Sequence, residues 1–123
     1  MLSSADHVHQ AERVESLLKI VRAQAPQYKE WIIVLWFYVC LHYVDAFLST
    51  KTSDSSGGHT GRMYRMTRYP ETQAIESAYH RLYKLSREAR YDGTPFTDND
   101  LAQIEPLYNK VRQAMRTALQ LPG

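Results

Sequence analysis

Tyr79, Tyr83, Arg87 and Arg90 recur at offsets of four, four and three, a spacing that sets all four on one face of an α-helix. A guanidinium grips phosphate through parallel hydrogen bonds and a phenol ring stacks on a base, so this alternation suits single-stranded nucleic acid. Tyr91, next to Arg90, is a further candidate for the same contact. The spacing has a plainer explanation as well. Tyrosines at these positions can pad a helical bundle while the arginines run along its surface to water or pair with carboxylates on a neighbouring helix.

His59 and Arg62 stand three apart just beyond a glycine-rich stretch, where a loop could deliver both to a shared site. They are the candidates for proton transfer and phosphate contact, with Arg62 joining Arg87, Arg90, Tyr83 and Tyr91 in the set of phosphate- or RNA-binding residues. Tyr38, His42 and Asp45, at offsets of four and three, form a candidate supporting polar cluster in which the carboxylate orients the imidazole. A satisfied histidine near the wet end of a core helix explains the same residues without chemistry.

Other chemistries find no foothold. The histidines at 7, 9, 42, 59 and 80 form neither an HExxH nor a Cys/His cluster, so no metal site is expected. No phosphate-binding Gly-Lys-Ser/Thr, dinucleotide glycine loop, serine elbow or paired-carboxylate motif is present, and no cofactor is expected. The lone cysteine, Cys40, lies in the most apolar stretch and reads as an inert packed thiol.

The elements that must position these residues all read as helices. The first begins after Ser3 or Ser4 with Asp6 in its opening turn, buries Ala11, Val14, Leu17, Leu18 and Val21, and ends at Pro26. A second runs from about Gln27 to Thr50. The string from Trp31 to Val39 favours strand by local propensity, but about 24 residues without a turn signal decide for a helix, apolar all round and therefore central. Lys51 to Gly58 is a polar loop, expected to be mobile. A short helix from about Thr60 to Tyr69 and a longer one from Glu71 to about Tyr91 follow, the latter with the seam Ile75, Ala78, Leu82, Leu85 and Ala89. After a turn at Asp92 to Pro95, Thr97 and Asp100 set up a capping box for a last helix whose apolar positions Leu101, Ile104, Leu107, Val111, Met115 and Ala118 keep phase through Pro106. The fold class predicted is all-α, an up-and-down bundle of four to five helices forming one domain over residues 1–123.

Composition agrees. At 123 residues and 44% apolar content the chain can bury a core without disulfides or metal. The net charge of +2 does not by itself argue for nucleic acid, but from His59 to Arg90 seven Lys/Arg face three Glu, leaving +4 there and −2 elsewhere. Trp31 to Leu41 falls short of the roughly 18 to 20 apolar residues that span a membrane, so a buried core helix and no membrane partner are expected. With a polar opening in place of a basic leader and apolar core, the expected location is the cytoplasm.

Three strings together carry a family resemblance: Phe37 to Ala46 (Phe-Tyr-Val-Cys-Leu-His-Tyr-Val-Asp-Ala), His59-Thr-Gly-Arg62, and Tyr79 to Tyr91 with its Ser86-Arg87-x-Ala89-Arg90-Tyr91 ending. From roughly Trp31 to Val111 the chain resembles small bacterial HEPN-like domains. The resemblance implies a bundle of four or five helices, frequent homodimers, and either RNase activity in toxin–antitoxin and phage-defence systems or non-catalytic binding of RNA, a nucleotide or a protein partner such as an antitoxin. Catalytic members carry an arginine followed by four to six residues and a histidine. None of the ten arginines here has that partner, which counts against the standard ribonuclease site. A variant site would need His59 and Arg62 to fold against Arg87 and Arg90, and the supporting His42 to meet them in a common pocket.

Overall fold

The computed structural model describes residues 2–122, which form helices and connecting turns with no strand. Six helices follow one another: α1 (Ser4–Gln24), α2 (Lys29–Ser49), α3 (Gly58–Met66), α4 (Pro70–Gln73), α5 (Glu76–Arg87) and α6 (Asp98–Ala118), with a π-helical turn over Glu88–Asp92 extending α5. The count exceeds the expected four to five because the stretch predicted as one helix from Glu71 to Tyr91 is divided. Thr72, fully buried, donates its hydroxyl to the Met66 carbonyl at 2.7 Å and so draws the first turn onto the end of α3. Ile75 then leaves helical geometry at φ −117°, ψ 7° before α5 begins. The apolar phase survives that break, which is why periodicity alone does not reveal it.

The capping boxes at Ser3/Asp6 and Thr97/Asp100 both form, each hydroxyl accepting from the backbone of the third residue on and each carboxylate accepting from the cap's own N–H. α1 stops at Gln24 because Ala25 precedes Pro26 and is pushed out of helical geometry. Pro106 sits inside α6; the carbonyl it leaves without an intrahelical partner belongs to exposed Ala102, where water can reach it.

Contacts fix the directions. Ser4 and Ala46, Glu15 and Tyr43, and Arg22 and Trp36 pair across α1 and α2, so these run antiparallel. Lys29 with Asp98, Cys40 with Tyr108 and Tyr43 with Arg116 align α6 parallel to α2. Phe37 against Tyr79 and Tyr83, with Tyr38 reached by Arg90, sets α5 antiparallel to α2. The result is an up-and-down bundle wrapped around α2.

α2 is long and apolar enough to cross a membrane, with mean hydropathy 1.8 over its best window, yet 72% of that window is buried inside the bundle. Its buried residues, from Ile32 through Trp36 and Val39 to Leu48, occupy the whole circumference. The α5 seam packs against it with Ile75, Ala78, Leu82 and Leu85 buried, and Tyr79 joins them at 0% exposure. Leu17 departs from expectation: α1 buries Ala11 and Leu18 and turns Leu17 to solvent, 48% exposed. A polar network missed by apolar patterning ties α1, α2 and α6. Arg112 grips Glu15 in bidentate fashion at 3.0 and 3.2 Å, Tyr43 donates to Glu15 at 2.6 Å, and buried Arg116 donates to the Tyr43 hydroxyl at 2.7 Å. Burial, reinforced by the Glu15 bond, pushes the Tyr43 phenol up to about 12.

Leu82→Ala should lower unfolding free energy by about 2–5 kcal/mol, whereas Leu17→Ala should stay within about 0.5 kcal/mol. Urea unfolding of the two variants checks this; equal losses would contradict the burial assigned to α1.

Candidate functional site

The loop before α3 is shaped by glycine. Gly57 takes φ +83°, and a Cβ on Gly61 would stand 2.1 Å from the Ser56 carbonyl oxygen, so only glycine lets the loop fold back onto α3. Buried Arg65 completes the closure by donating to that same carbonyl at 2.8 Å, with Asp54 3.9 Å away. The stretch expected to be mobile thus has defined anchors, and they aim the first turn of α3 at α5.

There the His59 ring lies flat on Tyr83, centroids 3.4 Å apart and planes 6° from parallel, with its Nε2 3.3 Å from His80 Nδ1. Its own Nδ1 is buried without a protein partner. Burial, aided by the positive surroundings of His80, Arg62 and Arg87, pushes the His59 imidazole down to about 4, so it is neutral at physiological pH.

Along α5 the pattern continues outward. The Arg87 guanidinium lies 5.9 Å from the Tyr83 ring and 5.3 Å from that of Tyr91. Arg90 is 5.2 Å from Tyr91 and 5.6 Å from Tyr38, and donates to the Tyr38 hydroxyl at 2.8 Å. Among the described residues neither arginine has a carboxylate partner within 4 Å. His59, Tyr83, Arg87, Tyr91 and Arg90 therefore make one continuous strip of rings and guanidiniums. The π-helical turn helps: one wider turn carries Arg90 and Tyr91 beyond the straight α5 track, and Gly93 at φ +64° closes it.

Arg62 is placed differently. It donates Nε to Asp45 Oδ1 at 2.7 Å and Nη2 to Oδ2 at 3.1 Å, both side chains largely enclosed. Tyr38, His42 and Asp45 share a face of α2 but do not bond to one another. Tyr38 serves Arg90, Asp45 serves Arg62, and His42 lies beside His7 with ring centroids 6.2 Å apart. Burial, then His7, lowers the His42 pKa. A common pocket holding His42, His59, Arg62, Arg87 and Arg90 is not formed among the described residues, because the ion pair with Asp45 turns Arg62 toward α2 while Arg87 and Arg90 project from the far end of α5. Cys40 is fully enclosed and its thiol is pushed well up by burial.

Comparison of the chain with family models, curated proteins and solved structures gives no match. The site is read from its geometry alone. Tyr79, part of the sequence stripe, is removed from any ligand by complete burial, and its hydroxyl has no hydrogen-bond partner. His80 was the residue that spacing could have found, since 80, 83 and 87 share the α5 face through offsets of three and four.

Because an unfolded histidine titrates near 6.5, the unfolded chain takes up a proton between about pH 6.5 and 4 that folded His59 refuses. This contribution to stability is intact above pH 6.5 and is lost as pH falls toward 4. An NMR titration of the His59 ring should show no protonation down to pH 5; a midpoint near 6.5 would contradict the enclosed stack.

Proposed function

We propose that the chain is a non-catalytic helical binding module, of the HEPN-like kind its sequence resembles, which holds single-stranded RNA or nucleotide phosphates along the α5 strip. The observation that carries the reading is the pair Arg87 and Arg90, free of carboxylates among the described residues and interleaved with exposed Tyr91. Guanidiniums without protein counter-ions release solution ions on meeting phosphate, and stacking on an aromatic ring contributes about 1–3 kcal/mol per base. The HEPN-like reading also carries the proposal of a homodimer and of a cytoplasmic protein working in a toxin–antitoxin or defence setting, with an antitoxin as a protein partner.

Arg62 supports a binding role over a catalytic one, since a guanidinium neutralised by Asp45 has little left for a developing phosphate charge. One observation favours the alternative of a metal-independent ribonuclease: neutral His59 beside His80 at 3.3 Å is a pair of imidazoles able to accept and donate protons. His59 is nonetheless covered by Tyr83 on one face.

With a fluorescent single-stranded RNA, the logarithm of affinity should fall linearly with the logarithm of salt concentration, and Arg87→Ala/Arg90→Ala should weaken binding and flatten the slope by about one. An unchanged slope would remove the strip as the phosphate contact. RNA should stay intact in chelator-containing buffer; cleavage abolished by His59→Ala would move the assignment to the ribonuclease.

A further inference from the structure

α2 buries nearly every large apolar residue it carries, yet Trp31 at its start is 54% exposed. The indole lines a cleft of about 290 Å³ together with Val34, Ala89, Arg90, Tyr91 and Glu30. Walls from α2 and the π-helical turn enclose it, so the widened turn that carries Arg90 and Tyr91 also forms one side of the cleft. The volume lies at the lower end of the roughly 300–1,000 Å³ typical of small-molecule sites, enough for one flat ring system and not for a polymer.

The polar groups define what that ring must offer. Glu30 is partly enclosed and has no ion-pair or hydrogen-bond partner among the described residues, although neighbouring Lys29 is turned away to Asp98. A carboxylate only accepts, so the ligand must bring donors. Among the four RNA bases, guanine alone presents two adjacent donors, N1–H and the 2-amino group, spaced to meet both oxygens of one carboxylate. Adenine and cytosine set an amino group beside an acceptor nitrogen, and uracil sets its single N–H between two carbonyls; each would point a lone pair at Glu30. At the cleft's other side Arg90 commits Nη1 to Tyr38 and Nε to the Ser86 carbonyl, keeping Nη2 for a phosphate. Arg87 stands beside the same Tyr91 ring at 5.3 Å.

We propose that this cleft is a guanine site: the base stacks on Trp31, its Watson–Crick edge donates to Glu30, and its phosphate meets Arg90 and Arg87. The inference rests on the nucleic-acid reading of the α5 strip and adds to it a base identity and two residues, Glu30 and Trp31, outside that strip. An exposed indole, an unpaired carboxylate and an unpaired guanidinium around one cleft complement a nucleotide in shape and in both signs of charge.

Trp36 is fully buried, so quenching of tryptophan fluorescence reports on Trp31. Titration with 5′-GMP should quench that emission with at least tenfold tighter binding than AMP, CMP or UMP. Glu30→Gln should abolish the preference, because its amide N–H₂ would face a guanine donor. Trp31→Ala, followed by calorimetry, should lose GMP binding while melting at an unchanged temperature. Preference for the oligonucleotide UUGUU over UUUUU would identify guanine within RNA as the ligand; equal oligonucleotide binding with GMP selectivity retained would identify the free nucleotide. If RNA binds with an Arg87- and Arg90-dependent salt slope but GMP shows no preference, or Glu30→Gln leaves it intact, the guanine site is overturned and the strip stands. If neither RNA nor GMP binds, both fall. If Trp31→Ala instead converts a dimer to a monomer without affecting nucleotide, the cleft belongs to a second copy and the inference is overturned.

Discussion

A carboxylate on the apolar central helix is tolerable only when a counter-charge meets it with good geometry, and Arg62 meets Asp45 with two hydrogen bonds. Removing one partner from such a pair leaves an unmatched charge among apolar neighbours, which costs far more than an exposed ion pair contributes. That pair therefore fixes where α3 docks. With α3 in place, His59 falls on Tyr83 and Arg65 draws in the loop, so the near end of the α5 strip inherits its geometry from a charge pair on the opposite face of α3.

The same constraint sorts the cations. Arg62 and Arg112 are spent on carboxylates, while Arg65 and Arg116 are buried and hydrogen-bonded. These four act as struts between elements. Arg87 and Arg90 lean on aromatic rings in place of carboxylates, which holds their planes in position while leaving their charge uncancelled. A positive, ring-lined surface results from how the charges are distributed, on a chain whose net charge is only +2.

Much of the fold was legible in the residues because it depends on local signals. Two capping boxes, the proline after α1 and the apolar phases of α2, α5 and α6 each announce themselves within a few positions. The break at Ala74 and Ile75 was not legible, since it hangs on a hydroxyl bond from Thr72 to a carbonyl six residues back. The fate of the site residues was half legible. Offsets of three and four showed that Tyr83, Arg87 and Arg90 share a face, but which arginine keeps its charge free is decided by contacts such as Arg62 with Asp45, seventeen positions apart. Tyr79 shows the limit of spacing: one residue in the stripe turns inward because Phe37 packs on it, and nothing in the offsets says so. Glu30 and Trp31 meet Arg90 and Tyr91 only after α5 folds antiparallel to α2.

The central claim is a division of labour between a structural Arg62 and a ligand-facing Arg87 and Arg90. NMR spectra of the arginine Nε–H groups and backbone amides, recorded as a short single-stranded RNA is added, test it most directly. The account predicts shifts at Arg87, Arg90 and the amides from Tyr83 to Tyr91, with the Arg62 signal unmoved and slow to exchange. Movement of Arg62, or shifts confined to α1 and α6, would contradict it.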